Sequence, residues 1–229
     1  MSEAMRIAVV VPVLDEAAEL ARRASELLSL NADELVVVDG GSTDGTLQIL
    51  QQAGIRYVSG KPGRASQMNA GASATKSEVI VFLHIDTFIS SSDLLHAKAV
   101  MQEPGTVGGR FDIRLTGKHP MFRVIEVLIN FRSRLSRISS GDQAMFVRRD
   151  VFERMGGFPD QPLMEDIEFS RRLKRQGKVI CLKEKAVTSS RRWEKHGLIR
   201  TILLMWKLRL LYRLGVPVER LAAMYRPVR

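Results

Sequence analysis

The stretch VVVDGGSTDGT, residues 36–46, runs three valines into a lone carboxylate, Asp39, and then into residues with almost no side chain. Consecutive β-branched apolar residues read as a strand buried on both faces. Gly40 and Gly41 at its end let the backbone turn sharply and let a ligand come close. Asp39 either starts that turn and caps the helix behind it, or faces something bound beyond the strand.

The same pattern recurs on both sides. IAVVVPV (7–13) is a continuous apolar run and predicts another doubly buried strand. DEAAELARRASELLSL (15–30) follows, with Leu20, Ala24, Leu27 and Leu28 at helical spacing and acids in the first turn, where the helix dipole favours them. STDGTLQILQQAG (42–54) predicts a helix opened by a Ser or Thr cap and closed by Gly54. IRYVSG (55–60) reads as a short strand, GRASQMNAGASAT (63–75) as a small-residue helix and VIVFLHID (79–86) as a fourth strand. Such alternation predicts an α/β fold, a mainly parallel sheet covered by helices on both faces. Ligands of such sheets bind beyond the carboxyl ends of the strands. Asp15, Glu16, Asp39, His84 and Asp86 all fall at those ends, so one crevice should gather them.

Composition bounds the class. With 229 residues, 45% of them hydrophobic, the chain can bury a full core. A single cysteine, Cys181, excludes an internal disulfide framework and fits a reducing compartment. The N-terminal apolar run is only seven residues long and acids follow it, so no signal peptide is expected and the expected location is cytoplasmic. Of the net charge of +10, ten Lys or Arg and two Glu after residue 190 supply +8. A basic tail fits nucleic acid, anionic lipid or a phosphorylated ligand, and charge does not choose among them.

Two phosphate-binding patterns are absent. The first strand ends in PVLDEA without the glycines of G-x-G-x-x-G, and no G-x-x-x-x-G-K-[ST] occurs. Phosphates must then be neutralised otherwise. HID (84–86) supplies a carboxylate beside a second potential ligand, a candidate for holding Mg²⁺ or Mn²⁺ against a diphosphate.

Taken in order, these segments resemble the family 2 glycosyltransferases, nucleotide-sugar enzymes of the GT-A fold, from about residue 6 to about residue 197. VVVPVLDEA is similar to the family's P-x-x-N-E, with Asp15 for the Asn; VVVDGGSTDGT to V-V-D-D-G-S-x-D-G-T, with Gly40 for the second Asp. GRASQMNAGA resembles the G-x-x-x-A-x-N-x-G loop, and FLHIDT stands where D-x-D is usual, with His84 for the first acid. GGF, EDIEFSRRLKRQG and SRRW resemble the G-G-F, E-D-x-x-x-x-x-R-L and R-W segments. The resemblance implies that Pro12, Val13, Leu14, Glu16, Asp39, Arg64, Asn69 and Asp86 border the nucleotide, Asp39 accepting from the base, commonly uracil. It implies Mn²⁺ or Mg²⁺ as cofactor, with Asp86, His84 and His196 as candidate ligands. Asp166 is implied as general base, supported by Glu165, while Asp142, Gln143, Arg192 and Trp193 are candidates for sugar or acceptor contacts.

Two amphipathic segments remain. MFRVIEVLINFRSRLSRI (121–138) sets Val124, Leu128, Phe131, Leu135 and Ile138 on one stripe, with Arg123, Glu126, Asn130, Arg134 and Arg137 opposite. LIRTILLMWKLRLLYRL (198–214) is apolar nearly all round with four cations, a poor membrane span at seventeen residues. Three placements are open to it: packed on the catalytic unit, in a homodimer seam, or in an anionic membrane interface.

The expectation is therefore a GT-A-type domain over 1–197 with a helical basic extension over 198–229. It moves a sugar from a nucleoside diphosphate sugar, UDP-linked by preference, to an acceptor hydroxyl, with inversion; a lipid-linked acceptor would suit the tail, and nucleic acid is not an expected partner. The alternatives are a sugar nucleotidyltransferase, whose Gly- and Arg-rich loop after strand one is missing, and a non-catalytic basic module, which leaves the ordered carboxylates without a purpose.

Overall fold

A computed structural model describes residues 5–225. Eight strands form one sheet, in spatial order β3-β2-β1-β4-β7-β6-β8-β5. In chain order they are β1 (Ile7–Val13), β2 (Glu34–Asp39), β3 (Tyr57–Ser59), β4 (Val79–Phe82), β5 (Thr87–Phe88), β6 (Thr106–Leu115), β7 (Met145–Arg148) and β8 (Lys178–Thr188). The helices are α1 (Ala17–Leu28), α2 (Thr46–Gln52), α3 (Arg64–Ser73), α4 (Ser91–Val100), α5 (Met121–Ser136), α6 (Arg149–Arg154), α7 (Glu165–Leu173), α8 (Arg191–His196), α9 (Leu198–Arg213) and α10 (Val218–Met224), with a 3₁₀ turn at Gly141–Gln143.

β1 is central, and all seven of its residues are buried, as a strand covered on both faces must be. β1, β2, β3 and β4 run parallel, with Val13 opposite Asp39 and Asp39 opposite Ser59, so their carboxyl ends lie side by side. β7 is antiparallel to β4 and β6, while β6 and β8 are parallel. The alternation of β1 divides the core: Ile7, Val9, Val11 and Val13 pack with Leu20, Leu27, Leu50 and Leu94. Val10 faces the other layer, with Ala65, Met68, Phe152 and Phe169. The small residues of α3 have a reason: a Cβ on Gly71 would come within 2.2 Å of Val10 Cγ1, so only glycine lets this helix lie so close to β1.

The expected Ser or Thr cap on α2 is not present. Gly45, at φ +92°, is the cap residue without a side-chain bond, and Asp44 Oδ1 instead accepts the Thr46 N–H at 3.1 Å. Gly54 does close α2, its N–H donating to Gln51 O at 3.1 Å. The fourth strand is shorter than expected, ending at Phe82, so His84 and Asp86 lie beyond it.

α5 reverses the usual orientation of an amphipathic helix. Its polar stripe faces the sheet: Asn130 Oδ1 accepts the Ile113 N–H at 2.8 Å and its Nδ2 donates to Ile113 O at 3.1 Å. Glu126 accepts the Leu115 N–H at 2.6 Å, and Arg134 donates to Cys181 O, Leu182 O and Asp112. Asn130 and Glu126 meet β6 beyond Gly108 and Gly109, where it pairs with β7, and Arg134 meets the Cys181 and Leu182 carbonyls where the register between β6 and β8 shifts. The apolar stripe points outward, with Phe131 66% and Leu135 78% exposed. α9 and α10 pack through Leu208 and Leu221 on Met164 and Ile167 beside α7, so the C-terminal helices share a core with the sheet domain. α9 also leaves Ile199, Leu203, Trp206 and Leu210 exposed, as is Leu214 just after it.

Candidate active site

The crevice is built at the strand ends. Gln67, buried on α3, donates through Nε2 to Val13 O at 2.7 Å and Val38 O at 2.8 Å, tying the ends of β1 and β2 together. Asp39 is buried there, and its carboxylate accepts the N–H groups of Gly41 and Ser42 at 3.0–3.2 Å. It organises the turn and does not cap α2. Asp15, in the left-handed region at φ 53°, accepts the Thr43 N–H at 2.9 Å and closes the same turn from β1. Pro12 and Val13 are buried and Leu14 half-buried along this edge.

Four charged groups converge on the far side of the crevice. Arg64 is exposed at the crevice mouth; the desolvation of the crevice opposes its charge, but Tyr225, Glu165, Asp142 and Asp86 around it outweigh that and raise its pKa. Burial and the like charge of Asp142 push the Asp86 carboxyl up, with His84, Arg64 and Arg191 pulling the other way. Burial, then Asp86, likewise raises Glu16. The Glu165 carboxyl is pushed up to about 7, by burial first and by the charge of Asp166 second. Asp166 Oδ2 accepts the Gly141 N–H at 2.7 Å, tying α7 to the 3₁₀ turn.

The metal set is not assembled as expected. Among the described residues no group of three or more His, Cys, Asp or Glu is arranged to hold a metal ion. His84 is buried with its ring against Gly141, where a Cβ would approach Cε1 to 2.4 Å, and its Nδ1 faces Asp142 Oδ1 at 3.4 Å. That contact holds Asp142 below the ordinary carboxylate range although burial opposes it. His196 is exposed at the end of α8. The donor set still fits a hard divalent ion in part: Asp86 is a half-buried carboxylate with Asp142 and Glu16 crowding it, and a cation would relieve that repulsion. One carboxylate needs further oxygen ligands, which a diphosphate carries.

Several expected contacts have structural uses. Asn69 donates to Phe158 O and accepts the Phe158 N–H, both at 2.9 Å, and Arg172 donates to Met155 O and Gly157 O, so the G-G-F loop is pinned from α3 and α7. Gln143 is fully buried; its Oε1 accepts the Ser140 N–H at 3.1 Å, while its buried Nε2 has no partner among the described residues. Trp193 packs against Ile113, Leu115, Phe122 and Ile125. Arg192 lies over the Tyr225 ring at 4.2 Å, and Arg191 pairs with Glu19 at 2.9 Å.

Three residues at the crevice were not anticipated: Arg132 on α5, Arg209 on α9 and Tyr225. Burial and then Arg209 lower the Arg132 guanidinium to about 9, with Asp166 opposing. Burial lowers Arg209, with Asp166 and Asp142 opposing. Burial raises Tyr225, beside Arg64 and Arg192. In the sequence Arg132 belongs to neither stripe of its amphipathic helix and Arg209 to a helix apolar nearly all round, so no local signal marked them.

Comparison with known proteins follows the same lines. No curated protein matches the chain closely. Among solved structures, glucosyl-3-phosphoglycerate synthase from Mycobacterium tuberculosis, in complex with Mn²⁺, UDP and glucosyl-3-phosphoglycerate, superposes with a TM-score of 0.64 at 20% identity, over 93% of this chain and 81% of that one. S. aureus TarS 1-349 in complex with UDP-GlcNAc gives 0.66 at 18% identity, over 81% of this chain and 58% of that one. At such identities the likeness is one of fold, the GT-A arrangement. The sequence model described as Glycosyl transferase family 2 matches residues 8–158, about two thirds of the chain. The protein therefore belongs to glycosyl transferase family 2 and is a glycosyltransferase.

Proposed function

We propose that the enzyme binds a nucleoside diphosphate sugar, UDP-linked by preference, and transfers the sugar to an acceptor hydroxyl with inversion. The observation that carries this reading is the convergence of Arg64, Asp86, Asp142 and Glu165 beyond the carboxyl ends of parallel strands. The bound states of the two structural neighbours, with UDP or UDP-GlcNAc, support the donor class. Asp39 and the open space at Gly41 would take the base; Glu16 and Arg64 would border the nucleotide. Asp86, with the donor's diphosphate oxygens, would hold Mn²⁺ or Mg²⁺, which supplies charge neutralisation of the leaving diphosphate.

Direct displacement needs a base on the face opposite the leaving group. The acceptor oxygen attacks the anomeric carbon, its proton passes to a carboxylate, and the bond to the diphosphate breaks with both electrons leaving on the diphosphate. Asp166 is our assignment for that carboxylate. Glu165 beside it, its carboxyl pushed up to about 7 by burial first and by Asp166 second, would share a proton with the pair at neutral pH and lessen the repulsion between the two acids. Asp142 faces the same space and is the sugar contact we retain, with Arg192 at the diphosphate.

Isothermal titration with UDP and Mn²⁺ tests the reading: saturable, metal-dependent binding is expected, lost in Asp86→Ala with the fold intact. A triphosphate preferred over UDP would indicate a nucleotidyltransferase instead.

A second feature supports attachment to an anionic membrane surface. α5 and α9 meet in one cluster, Phe122, Ile125 and Ile129 against Leu198 and Ile202, and each turns an apolar stripe outward. Arg200, Lys207 and Arg213 are exposed on α9 beside its stripe. Among the described residues no helix is long and apolar enough to cross a membrane, so the surface fits an interface rather than a span.

A further inference from the structure

Arg132 and Arg209 come from different parts of the chain, α5 and the C-terminal α9, yet their charges act on each other and on Asp166. Arg132 Nη2 is buried and has no hydrogen-bond partner. Neither guanidinium forms a salt bridge among the described residues. The nearest anion is occupied: Asp166 already accepts the Gly141 N–H at 2.7 Å and its own neighbour's, Ile167, at 2.7 Å. Arg110, whose charge also reaches Arg132, is taken up by Asp112, and Asp112 is shared with Arg134 at 2.7 Å. The pocket therefore carries more cation than the protein can match.

Both guanidinium groups are half-buried, and like charges held together with a buried donor unpartnered weaken a fold, so such an arrangement persists where a ligand supplies the missing anion. Guanidinium forks suit phosphate and carboxylate oxygens, which they bind two at a time. The donor's diphosphate is not the natural occupant. Asp86, beside which it would lie, is acted on chiefly by Asp142, His84, Arg64 and Arg191. Arg132 and Arg209 instead face Asp166, where the proposed base must meet the acceptor.

We infer that Arg132 and Arg209 bind an anionic group, a phosphate or carboxylate, carried by the acceptor close to the hydroxyl that receives the sugar. The inference rests on the donor reading only for the word acceptor; the anion site itself stands on the two arginines. It also gives the C-terminal extension a place in the active site.

The test uses the full-length chain, with and without UDP and Mn²⁺, and inorganic phosphate as probe in calorimetric titration. Wild type should bind phosphate in both conditions. Arg132→Met and Arg209→Met should each weaken that binding tenfold or more, with UDP affinity changed less than twofold. Arg132→Lys and Arg209→Lys, which keep the charge but lose the fork, should retain part of it. Because Arg132 Nη2 lacks a partner, Arg132→Met should not lower the unfolding midpoint of the ligand-free protein, which separates a lost site from a lost fold. Competition by glycerol 3-phosphate marks a small soluble acceptor, and competition by short-chain phosphatidic acid alone a lipid-borne one; both keep the site. Absence of phosphate binding in wild type overturns the inference, as does equal binding in the double Met variant. So does a matching loss of UDP affinity, which would make the pair a donor clamp. Absence of UDP binding with phosphate binding intact would count against the donor reading alone.

Discussion

At the scale of single residues the crevice is governed by the paired acids at the start of α7. Replacing Asp166 by Asn is nearly isosteric but removes a proton acceptor at neutral pH. Turnover should fall by roughly two to four orders of magnitude with UDP affinity little changed, the usual worth of a general base. A variant that kept most of its activity in initial-rate assays would move the base to Glu165. Glu165 itself makes a prediction about stability. Its carboxyl titrates at about 7 in the folded chain against an ordinary 4.5. Folded protein therefore holds the proton where unfolded chain has lost it, so this group's contribution is full below about 4.5 and fades as pH rises through about 7. The thermal midpoint of the ligand-free enzyme should drop between pH 5.5 and 8, and Glu165→Gln should flatten that drop. An identical pH dependence in the variant would show that burial and Asp166 do not act on Glu165 as the packing indicates. Which acids gather in the crevice was legible in the sequence, because each follows a recognisable strand or begins a recognisable helix. Their division of labour was not. Asp39 and Asn69 spend their hydrogen bonds on backbone in the structure, at Gly41 and Ser42 for one and Phe158 for the other, and motif spacing alone cannot tell a ligand contact from a loop clamp.

At the scale of elements, α3 and α5 show opposite relations between pattern and packing. The small residues of α3 announce close approach, and the structure delivers it. Gly71→Ala gains up to about 1 kcal/mol of helix propensity, but its methyl would meet Val10 Cγ1 at 2.2 Å and Val38 Cγ2 at 2.9 Å. Overpacking of this kind costs typically ~1–3 kcal/mol, so the clash should win and the denaturation midpoint should fall. α5 defeats the pattern. Its apolar stripe is a correct reading of periodicity, yet the stripe faces out because the polar stripe has backbone to satisfy on β6 and β8. Asn130→Ala would orphan the N–H and C=O of Ile113, a loss of about 1–3 kcal/mol for each buried group left unsatisfied. Leu128→Ser on the outward face should stay within about 0.5 kcal/mol of wild type. Chemical denaturation of the two variants reverses the order that a conventional amphipathic helix would give; a larger loss from Leu128→Ser would mean the helix packs by its apolar side. The register shift of β6 on β8 lies between residues far apart in sequence, which is why no local reading could foresee it.

At the scale of the whole molecule, charge and apolar surface fall together. The first 190 residues carry a net +2 and the rest +8, and that basic end displays Trp206, Leu210 and Leu214 to solvent beside Arg200, Lys207 and Arg213. A basic residue near an anionic bilayer gains about 1 kcal/mol, so three of them with partial insertion of the α5 and α9 stripes should give reversible binding. The protein is expected to co-sediment with phosphatidylglycerol-containing vesicles at low salt. It should be released in large part at high salt, because the Debye length shrinks from about 10 Å at 0.1 M to about 3 Å at 1 M. Trp206→Ser with Leu210→Ser should weaken the salt-resistant part, and Lys207→Gln with Arg213→Gln the salt-sensitive part, since the two contributions reside on different side chains. Arg209 points into the crevice and is left untouched in both, so catalysis on a soluble acceptor should survive. Sedimentation of neither wild type nor variants at any salt, together with a particle of twice the chain mass on size exclusion that the Trp206→Ser and Leu210→Ser changes dissolve, would reassign the same face to a second copy of the chain.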